Sequence, residues 1–375
     1  MNKTVYILGA GFSRPANAPL QSEIINDILK LKGFAFDQRD QFIRNYLDDF
    51  EKFLEQDLFI SKDKFRNIAL EDIFTPIDRC ILDGISFRSY YNRELVELRE
   101  KIYSLIIAAI MERIIFRGNS KSYIDDFANY LVRTMRPRME NIDHDPVSII
   151  STNWDILLDN SLKKAIENDN NNGVVDYCCY ISSLHDDDTI KPGLQALGEG
   201  KYNVKLLKLH GSMNWLSCPK CQRLYVAFYE KIAIDGLYSN KNCVHCNKNY
   251  SKQGGSTNIL RSNLIMPTFL KDLTNFQIKL IWQNASIELS EADKIVFIGY
   301  SLPNADYELR QLLSRMVRHD AIIEVVTEEE TDTETKKSNE ETYNRYKTFF
   351  GKRDVRLESI GVKKYIQKII KNPAE

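Results

Sequence analysis

Thr4-Val5-Tyr6-Ile7-Leu8-Gly9-Ala10-Gly11-Phe12-Ser13 is the stretch on which the fold turns. A short apolar, β-branched and aromatic run reads as a buried strand, and the Gly9-Ala10-Gly11 that ends it reads as a tight turn. Pro19 then stands where a first helical turn begins, and Leu20, Ile24, Ile25, Ile28 and Leu29 follow at helical spacing. Strand, glycine turn, helix is the opening unit of a doubly wound α/β sheet.

The same unit recurs along the chain. Pro146-Val147-Ser148-Ile149-Ile150 predicts a second strand, ending at Ser151-Thr152-Asn153-Trp154-Asp155 with a helix over 155–167. Lys205 to Leu209 predicts another, ending at His210-Gly211. Strands over 293–298 and 321–326 flank a turn at Gly299 and a helix over 304–318, and a last helix, strand and helix run to 371. Between 40 and 140 the pattern is helical. Tyr46, Phe50, Phe53 and Leu54 make one face, and Leu95, Leu98, Ile102, Leu105, Ile106 and Ile110 another. Residues 168–200 are rich in Asn, Asp and Gly and read as loop. Residues 327–342, with seven acids against two lysines, read as a solvated loop or helix start. The expected architecture is α/β: a Rossmann-like doubly wound parallel sheet from 1–35, 145–214 and 263–375, a helical insertion over 36–144, and a small zinc-ribbon module over 215–262.

Composition narrows the functional classes. The chain has 375 residues, room for two or three packed units at ~150 residues each. Its 51 Lys and Arg against 52 Asp and Glu exclude a wholesale polycation, so no general pull toward nucleic acid or anionic lipid is expected. At 43% hydrophobic and 11% aromatic residues it can fill sizeable cores, which excludes global disorder. No run of about 18 uncharged apolar residues exists, so no transmembrane helix is expected. The N-terminus enters the first strand directly, without a cleavage-site pattern. Seven cysteines in such a chain suggest a reducing compartment, with the cytoplasm as the expected location. The region 201–262, with ten Lys or Arg against two acids, is the one basic stretch. It reads as a solvated face, with a nucleic-acid or partner contact as the alternative.

Four motifs carry candidate chemistry. Gly9-Ala10-Gly11 is suited to a phosphate, because glycine lets the backbone approach and a helix N-terminus supplies N–H groups. Ser13 and Arg14 add a hydroxyl and a guanidinium there. The dinucleotide fingerprint is incomplete, since Arg14 stands where a third glycine belongs. The plain alternative is a tight βα turn. Asn153 and Asp155 follow a strand and can orient a ribose or a water, or can merely cap the next helix. His210, also at a strand end, is available as a general base near neutral pH. Gly299 and Ser301 offer a second phosphate or ribose contact, and Thr327 ends the next strand where an adenosine can rest. Cys218-Pro219-Lys220-Cys221 and Cys243-Val244-His245-Cys246, with 21 residues between them, form a paired CxxC set. Two such knuckles complete a tetrahedral thiolate shell for structural zinc, with no open position for catalysis.

In their order, Gly9–Ser13, Asn153-Trp154-Asp155, Lys208-Leu209-His210-Gly211-Ser212, the paired CxxC knuckles and Gly299-Tyr300-Ser301 resemble the sirtuin family, in its bacterial, anti-phage branch of NAD-consuming proteins. The match covers residues 3–20 and about 147–330. The resemblance implies NAD bound between a Rossmann-like domain and a smaller module. Gly9, Ala10, Gly11 and Ser13 would hold the phosphates, Asn153 and Asp155 would approach the nicotinamide ribose, and His210 would be the catalytic histidine. Gly299 and Ser301 would form the ribose–phosphate loop. Protein-deacylating sirtuins carry a Pro-Asp-Phe-Arg element after the glycine turn and a Phe-Gly-Glu stretch along the acyl-lysine channel. Here those places read Arg-Pro-Ala-Asn-Ala-Pro-Leu over 14–20 and Leu-Ile-Met-Pro-Thr-Phe over 264–269, and Thr152 replaces a glutamine. The expectation is therefore an NAD hydrolase, acting as a toxic effector in anti-phage defence. Such an activity needs control, by homo-oligomerisation or by a partner such as a HerA-like hexameric ATPase. The alternatives are a non-catalytic NAD or ADP-ribose sensor and an NAD-dependent protein deacylase.

Overall fold

The computed structural model describes residues 3–33, 41–116, 121–229, 241–250, 258–266, 268–271 and 273–372. Among the described residues eleven strands form two sheets. In chain order they are β1 (Thr4–Leu8), β2 (Val147–Ser151), β3 (Gly173–Asp176), β4 (Ile181–Ser183), β5 (Tyr202–Lys208) and β6 (Gly211–Ser217), then β7 (Leu224–Val226), β8 (Arg261–Leu264), β9 (Lys294–Ile298), β10 (Ile322–Val326) and β11 (Val355–Glu358). The large sheet has the order β11-β10-β9-β1-β2-β5-β3 and is parallel throughout. Helices cover both its faces, which is why β1, β2, β9 and β10 are near-continuous apolar runs rather than alternating ones. On one face the helix Ser122–Met135 sets Phe127 edge-on against Tyr6, with ring centroids 5.2 Å apart.

Register gathers the motifs. Leu8 pairs with Ser151 on one side and Ile298 on the other, Ser151 pairs with Lys208, and Ile298 pairs with Val326. Five strands thus end level, and the segments that follow them emerge along one edge. The chain runs outward from β1 through β2, then returns to β9 on the opposite side of β1. The order therefore reverses between β1 and β9, and a crevice opens at their C-terminal ends.

A second body of helices packs over that edge. Helix Asn92–Phe116 buries Leu95, Leu98, Ile102, Leu105 and Ile106 against the helices Ile24–Lys30, Gln41–Lys52 and Leu70–Asp83. Trp154, Met213, Leu264 and Met266, from the sheet edge and the small sheet, join this core. Ile24–Lys30 thus packs with the helical body, while Ser122–Met135 packs with the sheet.

The small sheet, β4-β7-β6-β8, carries a third core around Leu216, Tyr225, Cys218, Cys243 and Cys246. The reading of 168–200 as loop is corrected here: β3, β4 and the short helix Gly193–Gly198 lie within it. Their apolar runs are too brief to stand out from the polar residues around them. β3 is defined by its long-range pairing with β5. Likewise β6 starts directly after His210, a strand that the sequence pattern did not separate from the cysteine module. Among the described residues no helix is long and apolar enough to cross a membrane.

Candidate active site and metal centre

The loops after β1 and β9 meet backbone to backbone. Gly11 N donates to Gly299 O at 2.9 Å, and Phe12 N donates to Gly9 O at 2.9 Å. A Cβ on Gly9 would lie 2.6 Å from Gly299 O, and one on Gly299, where φ is +61°, would lie 2.2 Å from Phe12 N. The glycines read as phosphate-approach positions therefore also let two loops interlock, and Gly11 spends its N–H on that contact.

Beside this joint lies a cavity of about 720 Å³. The sheet edge forms one wall, with Ala10, Gly11, Asn153, Asp155, His210, Gly299 and Ser301, while Ile24, Arg66, Leu70, Glu71 and Ile110 form the helical wall. Seven of the residues singled out in the sequence thus line one space. Gly9, Ser13, Arg14 and Thr327 do not. Ser13 is buried behind it, with its Oγ 3.3 Å from Asn153 Nδ2. Arg14 turns to Glu23, at 2.5 Å, whose Oε2 also accepts from Leu20 N and Arg113 Nη1. Thr327 is buried at the end of β10, its N–H donating to Glu358 O.

Asn153, Asp155 and His210 of the sheet-edge wall are each held from behind. Asn153 Nδ2 donates to Gly9 O at 2.9 Å, so the residue ties the glycine turn to the loop after β2. Asp155 Oδ1 accepts from Leu157 N at 3.1 Å. Burial pushes the Asp155 carboxyl up, and the charge of Lys208 opposes the shift. Lys208, itself buried, donates to Asp155 O at 2.5 Å and to Asp159 at 3.1 Å. His210 is fixed by its backbone: Ile265 N donates to His210 O at 2.9 Å, and Gly211 at φ +75° leaves no room for a side chain against Asn263 O.

Asp306, which sequence reasoning missed, lines the cavity with Tyr300, and Lys271, missed as well, stands behind them. His210 Nε2 lies 3.3 Å from Asp306 Oδ1. Lys271 Nζ lies 2.8 Å from the same oxygen and 3.0 Å from Glu308 Oε2. Tyr300 OH donates to Asp306 Oδ2 at 2.6 Å. Burial alone would raise the Asp306 carboxyl, but the charges of His210 and Lys271 outweigh it and hold that carboxyl well below the usual range. Asp306 occupies the N-cap position of the helix Tyr307–Met316, which is how such a residue is read from sequence. Its side chain makes no cap bond and turns into the site instead.

The four cysteines come together away from the cavity. Cys218 Sγ lies 3.8 Å from Cys246 Sγ, and Cys221 Sγ lies 3.6 Å from Cys243 Sγ. All four ligand atoms fall within 4.8 Å of one another, so the cluster can hold a metal ion. Zn–S bonds of 2.3 Å in a tetrahedron place sulfurs about 3.8 Å apart, so the spacing fits zinc. Tyr225 OH lies 3.2 Å from Cys243 Sγ, a buried polar partner for one thiolate. A second acidic grouping, Asp145, Glu288 and Glu291, is engaged by Lys3 and Lys205 and is an ion-pair network.

Comparison of the sequence with protein-family models and with curated proteins gave no match.

Proposed function

We propose that this protein hydrolyses NAD to ADP-ribose and nicotinamide, as a toxic effector in bacterial anti-phage defence. The observation that carries the reading is the cavity in the β1/β9 crevice, where Asn153, Asp155 and His210 share a wall with the glycine joint. Such a crevice at a reversal of strand order is where open parallel sheets bind nucleotides. The motif order quoted above narrows the nucleotide to NAD.

The chemistry asks little of the protein. Breaking the bond between nicotinamide and ribose passes through an oxocarbenium-like state. Nicotinamide departs as a neutral molecule from a cationic ring, so no strong acid is required. The amide nitrogen of Asn153 is committed to Gly9 O and Ser13 Oγ, so what it offers a substrate is Oδ1, an acceptor that orients a water or a ribose hydroxyl. His210 takes the proton as water attacks the anomeric carbon. Ala10 and Gly11, with Gly299 and Ser301 across the joint, are the backbone-rich surface for the pyrophosphate and ribose.

In this reading Cys218, Cys221, Cys243 and Cys246 bind one structural zinc, which supplies folding energy to the small sheet and takes no part in the reaction. Control comes from homo-oligomerisation or a separate partner, for which a HerA-like ATPase is the candidate, and the setting is the cytoplasm.

The test is to incubate purified protein with NAD, with and without an acyl-lysine peptide, and follow nicotinamide. We expect release without the peptide, at a rate the peptide leaves unchanged, and its loss in His210→Ala with the melting temperature preserved. Cleavage that depends strictly on the peptide and yields acylated ADP-ribose would make the protein a deacylase. Binding of NAD without turnover, in every assembly state, would make it a sensor.

A further inference from the structure

We propose that Asp306 is a positioning residue that orients His210, and that Lys271 tunes the pair by sharing the carboxylate charge. The inference rests on the hydrolase reading for its purpose, but the pair itself stands on geometry. A histidine in the wall of a cavity can turn about χ2, and which nitrogen faces a substrate is decided by what the other one touches. Here Nε2 lies 3.3 Å from Asp306 Oδ1, an ion-pair contact rather than a hydrogen bond, in a setting where the side chains of His210 and Asp306 are 6% and 2% exposed.

The carboxylate cannot swing away. Tyr300 OH holds Oδ2 at 2.6 Å and Lys271 Nζ holds Oδ1 at 2.8 Å. The Lys271 side chain is itself wholly buried and is anchored to Glu308 as well. Its role follows from charge. A lone buried carboxylate beside an imidazole would stabilise the imidazolium and take away the base. A lysine on the same oxygen withdraws part of that field and leaves the carboxylate as an orienting partner. Lys271 sits on the segment after β8, Tyr300 after β9 and Asp306 and Glu308 at the helix that follows. The three segments together therefore supply the four groups. The other titratable groups around the cavity are Asp155 on the sheet-edge wall with His210 and, on the helical wall, Arg66 and Glu71.

The two substitutions Asp306→Asn and Lys271→Met have opposite signs, which a merely structural role does not produce. Asp306→Asn removes the carboxylate charge beside His210 and leaves Lys271 paired with Glu308 alone, so the acid limb of the kcat profile moves to lower pH, by about one unit. Its plateau falls on the order of 100-fold, with KM little changed, because orientation is lost. Lys271→Met exposes His210 to the whole carboxylate charge, and the acid limb moves to higher pH by a similar amount.

The same ionisation is read without turnover from the ring signals of isotope-labelled histidine by NMR, with the His210 signal identified by its loss in His210→Gln. Opposite displacements of the His210 titration in the two variants are expected. Displacements in one direction, or none in the variants that fold, overturn the proposal. Opposite displacements in the two variants, together with a wild-type protein that releases no nicotinamide, would uphold the pair and remove the hydrolase reading alone.

Discussion

Gly299 carries more of the site than its size suggests. Its positive φ and its contact with Phe12 N leave no place for a methyl group, and the atoms in the way are backbone. Gly299→Ala should destabilise the protein by about 2–3 kcal/mol in urea unfolding, since both strain and close contact oppose it. Gly84, at φ +68° and ψ 22° with nothing within 4 Å of an added methyl, is the control, and Gly84→Ala should cost only about 1 kcal/mol. Equal losses at the two positions would show that the joint between the loops is not tight. Asn153 has a similar double duty. It faces the cavity and also ties Gly9 O, so Asn153→Ala removes a buried hydrogen bond as well as a candidate catalytic group. His210→Ala is therefore the cleaner probe of chemistry.

At the scale of an element, the small sheet depends on its cysteines. β4, β7 and β8 are short, and the core beside the metal site holds Leu216, Tyr225, Ala227 and Leu260 around the thiols. So little apolar material needs a staple. Protein purified without added zinc should carry near one equivalent by metal analysis. Chelation, or Cys218→Ser with its partner thiols intact, should lower the melting temperature before it affects nicotinamide release at low temperature, because none of the four ligands lines the cavity. A substoichiometric metal content with an unchanged melting temperature after chelation would remove the structural role.

For the whole molecule, the proposed activity demands restraint, and assembly is where we place it. Nicotinamide release per chain should change with protein concentration across the range in which light scattering reports a change of mass. A specific activity that stays constant through that change would exclude control by self-assembly and leave the partner. The cavity itself is a property of the whole chain, because its two walls come from segments far apart in sequence. The alternation of strand and helix was legible from β1 onward, since buried parallel strands are continuous apolar runs and each ends at a turn residue. The helical face from Leu95 to Ile110 was legible for the same reason, a period of 3.6 residues. So were the cysteine spacing and the placement of Asn153, His210 and Gly299 at strand ends. Local pattern suffices for these features because each is encoded within a few neighbouring residues. What only the tertiary structure decided is which of those ends share a space and what stands behind them. Arg14, read as an anion ligand, is held by Glu23, because the segment that carries it folds back toward the helical body. Asp306 and Lys271 reach His210 from separate segments, and nothing local marks a capping aspartate or a loop lysine for that meeting. Register and strand order make the meeting, and they are set by long-range pairing and burial rather than by any short stretch of the chain.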